Sequence, residues 1–376
     1  MRNRRFSEKI NIGIHVCYDM LRKLNSMHRT VLLMILFLPV MHAQQVYAAG
    51  SVPDSLWKPE GLQTPEPGTK INPVADLILH YANKLEVNPD SVMKKYIKRL
   101  NLGGPRIHHV LDTTVMHEGY PIPVRVCYPM GKKNKSSSIM VYFHGGAFLF
   151  GDNNMYDKML RKLVRETNCI VVSAEYRLAP DHPFPEGVND CYYILQWVAA
   201  NLKTLGAEGK KIGVAGDSAG GNLAAVMTLM SRDKNGPPIA WQVLYYPATT
   251  FRDTMYASLE YFSGLHGKHY MLSATFLHKV KTEYMGKFTN DRDPYLSPLD
   301  ASLSSNLPRA LVITAKCDPL RDEGHDYASR LRRAGVPVTY REAKGMIHGF
   351  INFYPILRQG RKAIRLTAAF INSDQQ

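Results

Sequence analysis

"VAGDSAGGNL", residues 214–223, sets a serine among small residues, after a short apolar run and before an apolar helical pattern. Two readings compete: a nucleophile held on a sharp turn, or a glycine-rich loop joining a strand to a helix. "GDSAG" (216–220) fits G-x-S-x-G, which is weak by itself. Its surroundings make it specific. "KIGVA" (211–215) reads as a strand and "GNLAAVMTLM" (221–230) as a helix, the context a nucleophile elbow needs. Close neighbours in so tight a turn must be small, and Gly216, Ala219, Gly220 and Gly221 supply this. Such an elbow lifts the Ser218 hydroxyl clear of the sheet and aims a helix N-terminus at it, where amides and dipole favour negative charge.

The alternation continues outward from this centre. Apolar strands are expected in "SSIMVYFHGG" (137–146), "CIVVSAEYRL" (169–178), "AWQVLYYPA" (240–248), "ALVITAKCD" (310–318) and over 337–342. Amphipathic helices are expected over 156–168, 186–206, 222–233, 323–335 and about 355–372. "VLDTTVM" (110–116) and "IPVRVCYP" (122–129), joined by "HEGYP", read as a hairpin-like pair. Short strands alternating with helices imply right-handed crossovers. The expected fold class is α/β, a mostly parallel eight-stranded sheet covered by helices on both faces.

A serine hydroxyl is a poor nucleophile at neutral pH and needs a base oriented by a third group. On an elbow of this kind the partners follow in the order Ser, Asp or Glu, His. The chain has 14 His, so order and placement must discriminate. Asp318 comes just past the apolar strand 310–315, where catalytic groups collect at sheet ends. His348 sits in the glycine-flanked "GMIHGF" (345–350). Asp322 is the rival acid; it, or Glu323, also suits the N-terminus of the next helix. His325 reads as a surface residue at that helix's start. Attack on an acyl carbonyl creates an oxyanion that preorganised N–H donors must stabilise. "FHGGAF" (143–148) follows the strand "IMVY", and its compact residues bring amides close to the reacting carbon, joined by the N–H of Ala219.

With these parts in order, the chain resembles the hormone-sensitive-lipase-like (family IV) carboxylesterases of the α/β-hydrolase superfamily. The resemblance rests on "HGGA" (144–147), "YRLAPDHPFP" (176–185), "GDSAGG" (216–221), "DPLRDEG" (318–324) and "HGF" (348–350), and covers roughly 105 to 372. It implies Ser218 as nucleophile, Asp318 as acid and His348 as base. The amides of Gly145, Gly146, Ala147 and Ala219 would form the oxyanion hole, with His144 orienting the loop. Many members have a third glycine where this chain has Ala147; alanine keeps the N–H, but its methyl narrows the room for bulky groups. The resemblance implies a serine esterase that favours short acyl chains such as acetyl and requires no metal or cofactor. An amide or formamide hydrolase with the same triad, or a non-catalytic ligand-binding member of the fold, are the alternatives. Family caps combine N-terminal helices with an insertion after the strand following the elbow. Residues 74–101, two short helices broken at "VNPDS", and the aromatic, Met-rich segment 249–305 stand in those places. Arg177 is placed to pair with Asp190 and stiffen the region behind the site.

The N-terminus reads separately. "VLLMILFLPV" (31–40) is too short to span a bilayer comfortably. Basic residues precede it and small residues follow, the layout of a signal peptide cleaved near Ala43 or Ala48, or else of an N-terminal membrane anchor. The expected organisation is a targeting segment at 1–43, a linker with cap helices at 44–105, and a catalytic domain at 106–372. Export to the periplasm or medium follows from the first reading, with no stable membrane span after processing.

The 376 residues carry a net charge of +15. Without 1–43, 40 basic residues face 30 acidic ones, +10. The excess is scattered, in pairs such as Lys94-Lys95 and Arg332-Arg333, and reads as a solvated basic surface. No nucleic-acid motif accompanies it, so the expected partner is a small-molecule ester; a homodimer is compatible with the sequence. Five Cys form no C-x-x-C pair, which argues against a zinc site. One disulfide is allowed, and Cys169 reads as a small buried hydrophobe.

Overall fold

A computed structural model describes residues 70–84, 104–130, 138–253, 256–264 and 270–373. The targeting segment, most of the linker and the second of the two short helices lie outside these residues. The strands are β1 His109–His117, β2 Tyr120–Tyr128, β3 Ile139–Phe143, β4 Ile170–Ala174, β5 Ile212–Asp217, β6 Trp241–Tyr245, β7 Arg309–Cys317 and β8 Val338–Ile347. They form one eight-stranded sheet in the order β1-β2-β4-β3-β5-β6-β7-β8. β1 and β2 form the expected hairpin around Glu118-Gly119, and β2 runs antiparallel to β4. All pairings from β4 to β8 are parallel.

Eight helices are described: α1 Pro73–Lys84, α2 Asn153–Thr167, α3 Glu186–Ala200, α4 Ala219–Asp233, α5 Ala257–Phe262, α6 Ala274–Met285, α7 Arg321–Arg333 and α8 Arg358–Asn372. They divide between the two faces because successive strand side chains point opposite ways. On β3, Ile139, Val141 and Phe143 pack with α3, α4 and α7, while Met140 and Tyr142 pack with α1, α2 and α8. Covered on both sides, β3 to β6 are buried throughout, which is why they read as unbroken apolar runs.

The order β4-β3-β5 places a switch of winding direction between β3 and β5. A crevice opens at the C-terminal ends of the strands beside such a switch. β3 delivers His144-Gly145 to it and β5 delivers Ser218.

Several boundaries differ from expectation. β4 stops at Ala174 rather than near Leu178. β8 continues past 342 to Ile347, so His348 follows the sheet directly. Lys344 and Gly345 interrupt the apolar pattern in that stretch, although Ala343, Met346 and Ile347 are buried. A 3-10 turn, Phe350–Phe353, precedes α8. Cys127, Cys169, Cys191 and Cys317 are all buried thiols, and none of the four is in a disulfide. Among the described residues no helix is long and apolar enough to cross a membrane.

Candidate active site

β5 ends at Asp217, and the chain turns sharply into α4 through Ser218. Ser218 has φ 57° and ψ −120°, the left-handed side of the map that disfavours a residue with a Cβ. The turn is held by the Ser218 N–H donating to the Tyr245 carbonyl at 2.9 Å. A Cβ on Gly216 would sit 2.1 Å from the Gly220 carbonyl oxygen, and one on Gly220 2.0 Å from that of Phe143. The elbow therefore closes only with glycine at both places.

His348 Nε2 stands 2.8 Å from Ser218 Oγ, and its Nδ1 stands 2.8 Å from Asp318 Oδ2. A carboxylate only accepts, so Nδ1 carries the ring proton. Nε2 then offers its lone pair to the Ser218 hydroxyl. Asp318 is fully buried, and its other oxygen accepts the Leu320 N–H at 2.9 Å. Ser218 keeps partial exposure while His348 is buried behind it. The rival Asp322 is occupied elsewhere: it accepts from Arg321 Nε at 2.6 Å and from the Ser258 N–H at 2.8 Å. It ties the first turn of α5 to the start of α7. His325 is half-buried with its ring edge against Tyr340, rather than a plain surface residue.

Upstream, Gly146, Ala147 and Phe148 turn the chain through three successive positive φ values of 125°, 57° and 62°. The Gly146 carbonyl accepts from both Leu149 and Phe150. The N–H groups of Gly146, Ala147 and Ala219 donate to no other described residue. Gly145 is different, and here the expected four-amide set is corrected. Its N–H donates to Asp217 Oδ1 at 2.9 Å, so it is already committed. His144 packs its ring on Tyr176 with centroids 4.5 Å apart, and its Nδ1 meets the Gly145 carbonyl at 2.8 Å. Burial pushes its pKa down to about 4, so it stays neutral and shapes the loop.

Asp217 was not singled out from the sequence. Its buried carboxylate accepts from Tyr142 at 2.8 Å, Gly145 N–H at 2.9 Å, Tyr156 at 3.2 Å and Tyr246 at 3.5 Å. Burial raises its pKa, and the hydroxyl and amide donors oppose that rise. Tyr246 also sets its ring edge against His348, centroids 4.8 Å apart. Asp217 thus joins the glycine loop, the elbow and the base. Its position inside "GDSAG" was the available signal.

The insertion after β6 reaches this centre through aromatic rings. Tyr284 on α6 stacks on Phe148 with centroids 3.8 Å apart, and Phe251 packs against both. Thr249, where the insertion begins, donates its N–H to the buried Glu323 at 2.6 Å. Behind the site, Arg177 clamps Asp190 with Nε and Nη2, each at 2.8 Å, the pairing expected from the sequence. The Arg177 backbone N–H adds a third contact to Asp190 at 3.0 Å and His117 a fourth at 2.7 Å. Among the described residues no group of three His, Cys, Asp or Glu side chains is spaced to hold a metal ion.

Residues 140–352 match the family model described as the alpha/beta hydrolase fold. Carboxylesterase NlhH of Mycobacterium tuberculosis is 38% identical over 262 residues, covering 64% of this chain and 75% of that one. Ethyl acetate hydrolase of Pseudomonas putida is 30% identical over 251 residues, covering 66% and 77%. Among solved structures, a hyperthermophilic esterase from the archaeon Pyrobaculum calidifontis superimposes with a TM-score of 0.73 at 40% identity, over 81% of this chain and 99% of that one.

Proposed function

This chain belongs to the α/β-hydrolase family, in its hormone-sensitive-lipase-like branch, and on that premise we propose that it is a serine carboxylesterase cleaving short-acyl esters through an acyl-enzyme. One observation carries the reading: the relay from Ser218 Oγ through the His348 ring to Asp318, two contacts of 2.8 Å. His348 Nε2 takes the Ser218 proton as Oγ attacks the acyl carbon. The carbonyl electron pair moves onto oxygen, where the amides of Gly146, Ala147 and Ala219 stabilise it. Asp318 holds the imidazolium in place. The base then protonates the departing alcohol, leaving an ester on Ser218. Water, deprotonated by the same ring, attacks that ester; the bond to Ser218 Oγ breaks, Oγ takes the proton back from the ring, and the acid leaves.

Three features support a short acyl group. Ala147 adds a methyl at the mouth of the oxyanion loop. Phe148, Phe251 and Tyr284 form a dense aromatic wall against that loop. A relative bears the name ethyl acetate hydrolase. We read the segments 74–101, of which 85–101 lies outside the described residues, and 249–305 as the cap. The basic stretch and apolar run of residues 1–43 make the chain an exported one, periplasmic or secreted, or held by that run as an anchor.

Purified protein assayed on p-nitrophenyl esters from acetyl to long chains, beside Ser218→Ala, tests the reaction. Rapid turnover of acetyl and butyryl esters and labelling by a fluorophosphonate, both lost in Ser218→Ala, are expected. No Ser218-dependent turnover sinks the hydrolase reading; preference for long chains sinks the short-acyl part alone. Faster cleavage of p-nitroanilides than of matching esters would make it an amidase. Cell fractionation with N-terminal sequencing of the product tests export.

A further inference from the structure

Positive charge that the sequence spreads in pairs is partly gathered by the fold on one face. α8 carries Arg358, Arg361, Lys362 and Arg365 and no acidic residue. Spacings of three and four keep these four on one side of the helix. The opposite side, with Ala363, Ile364, Thr367 and Ala368, is buried. α2 packs alongside α8 and adds Lys158, Arg161, Lys162 and Arg165. Tyr354 joins the two rows. Its hydroxyl donates to the Lys158 carbonyl at 3.3 Å, and its own carbonyl accepts from Arg361 at 2.8 Å. The acids within α2 are matched: Asp157 pairs with Arg161 and Arg125, Glu166 with Lys162. Asp152 caps α2 through the Met155 N–H. Arg165, Arg358, Lys362 and Arg365 are exposed and pair with no carboxylate among the described residues. On the opposite face, α7 mixes Asp322, Glu323 and Asp326 among its basic residues.

We propose that the α2–α8 face docks on a bilayer containing anionic phospholipid. Two helices side by side present cations on long stems, which suit a plane of phosphate headgroups. The described chain also enters on this face. The Asn72 N–H donates to the Gly345 carbonyl at 3.0 Å, and Ala75, Ile78 and Leu79 of α1 share a core with Leu160 of α2 and Ile364 of α8. Upstream of Lys70 the sequence holds the apolar run 31–40, with Arg22, Lys23 and Arg29 ahead of it. The basic surface forms a separate, salt-sensitive contact that does not need the run to be kept. This inference is independent of the esterase reading.

Co-sedimentation of the purified chain with phosphatidylcholine vesicles, and with vesicles that also contain phosphatidylglycerol, tests it. Binding to the anionic vesicles alone, lost at high salt, is expected. The triple variant Arg358→Gln, Lys362→Gln, Arg365→Gln should lower that binding about 100-fold, at roughly fivefold per cation. Its hydrolysis of a soluble ester should be unchanged, which shows that it folds. Arg358→Lys with Arg365→Lys should bind as the parent does. Equal binding to both vesicle types, or full binding by the triple variant, overturns the proposal. Tighter binding to heparin or DNA than to the anionic vesicles overturns it too, and assigns the face to a soluble polyanion.

Discussion

The Gly145 N–H donates to the Asp217 carboxylate across 2.9 Å, and this bond ties the oxyanion loop to the residue before the nucleophile. Two loops that follow different strands are thereby held in one register. Asp217→Ala should lower kcat by about 10²-fold, the scale of losing one oxyanion donor, because the Gly146 and Ala147 amides lose their anchor. KM should change much less. Unfolding should become easier by about 2 kcal/mol or more, since buried Tyr142, Tyr156 and Gly145 donors lose their acceptor. Steady-state kinetics with thermal denaturation check both; an unchanged kcat would show that the loop holds itself.

Asp318 and Asp322 are four residues apart, and only Asp318 touches His348. Asp318→Asn offers an amide that can donate to Nδ1 and so favours the tautomer with its proton on Nε2. kcat/KM should fall by about 10⁴-fold, with KM little changed. Asp322→Asn should leave the ester kinetics within about tenfold. Its loss should appear as lower stability, because Arg321 and the Ser258 N–H keep only a neutral acceptor. Reversed effects in the two variants would mean that Asp322 is the functional acid.

What the sequence makes legible here is what local pattern and chain order carry. β3, β5 and β6 are buried on both faces, so their runs announce them. Ser218, Asp318 and His348 each follow a strand, so order together with placement at the strand ends brings them forward. The role of Asp217 was hidden because its partners come from β3, α2 and the loop after β6, contacts no local pattern encodes. The same bond removes Gly145 from the free amides, which motif reading could not foresee. The basic face likewise depends on α2 and α8 meeting, although nearly 200 residues separate Lys158 from Tyr354 (|i−j| = 196).

Ala147 occupies a left-handed position, φ 57°, which costs a residue with a Cβ about 1 kcal/mol relative to glycine. Ala147→Gly removes that strain but gives the unfolded chain more freedom, so stability should move by less than about 1 kcal/mol. The lost methyl should matter more for substrate. Turnover of esters with bulky or longer acyl groups should rise relative to acetyl, with the N–H donor retained. Relative kcat/KM across a chain-length series measures this; an unchanged profile would remove Ala147 from the specificity determinants.

Glu323 gives stability a distinct pH dependence. Its carboxylate accepts the Thr249 N–H at 2.6 Å, where the insertion begins. Burial pushes its pKa from 4.5 up to about 8, aided by the nearby charges of Asp318 and Asp322 and opposed by the Thr249 and Thr250 amides. The folded chain therefore binds a proton that the unfolded chain has released. Across that window the unfolded state holds fewer protons, so this group makes unfolding easier as pH rises. Its contribution is complete below pH 4.5, declines progressively, and is gone above about 8. Glu323→Gln has nothing to titrate and should flatten that part of the profile. The parent should be the more pH-sensitive protein in denaturant titrations between pH 5 and 8.5, and the two curves should diverge most at the alkaline end. Parallel curves would mean that Glu323 stays ionised in the fold, held by its two amide donors.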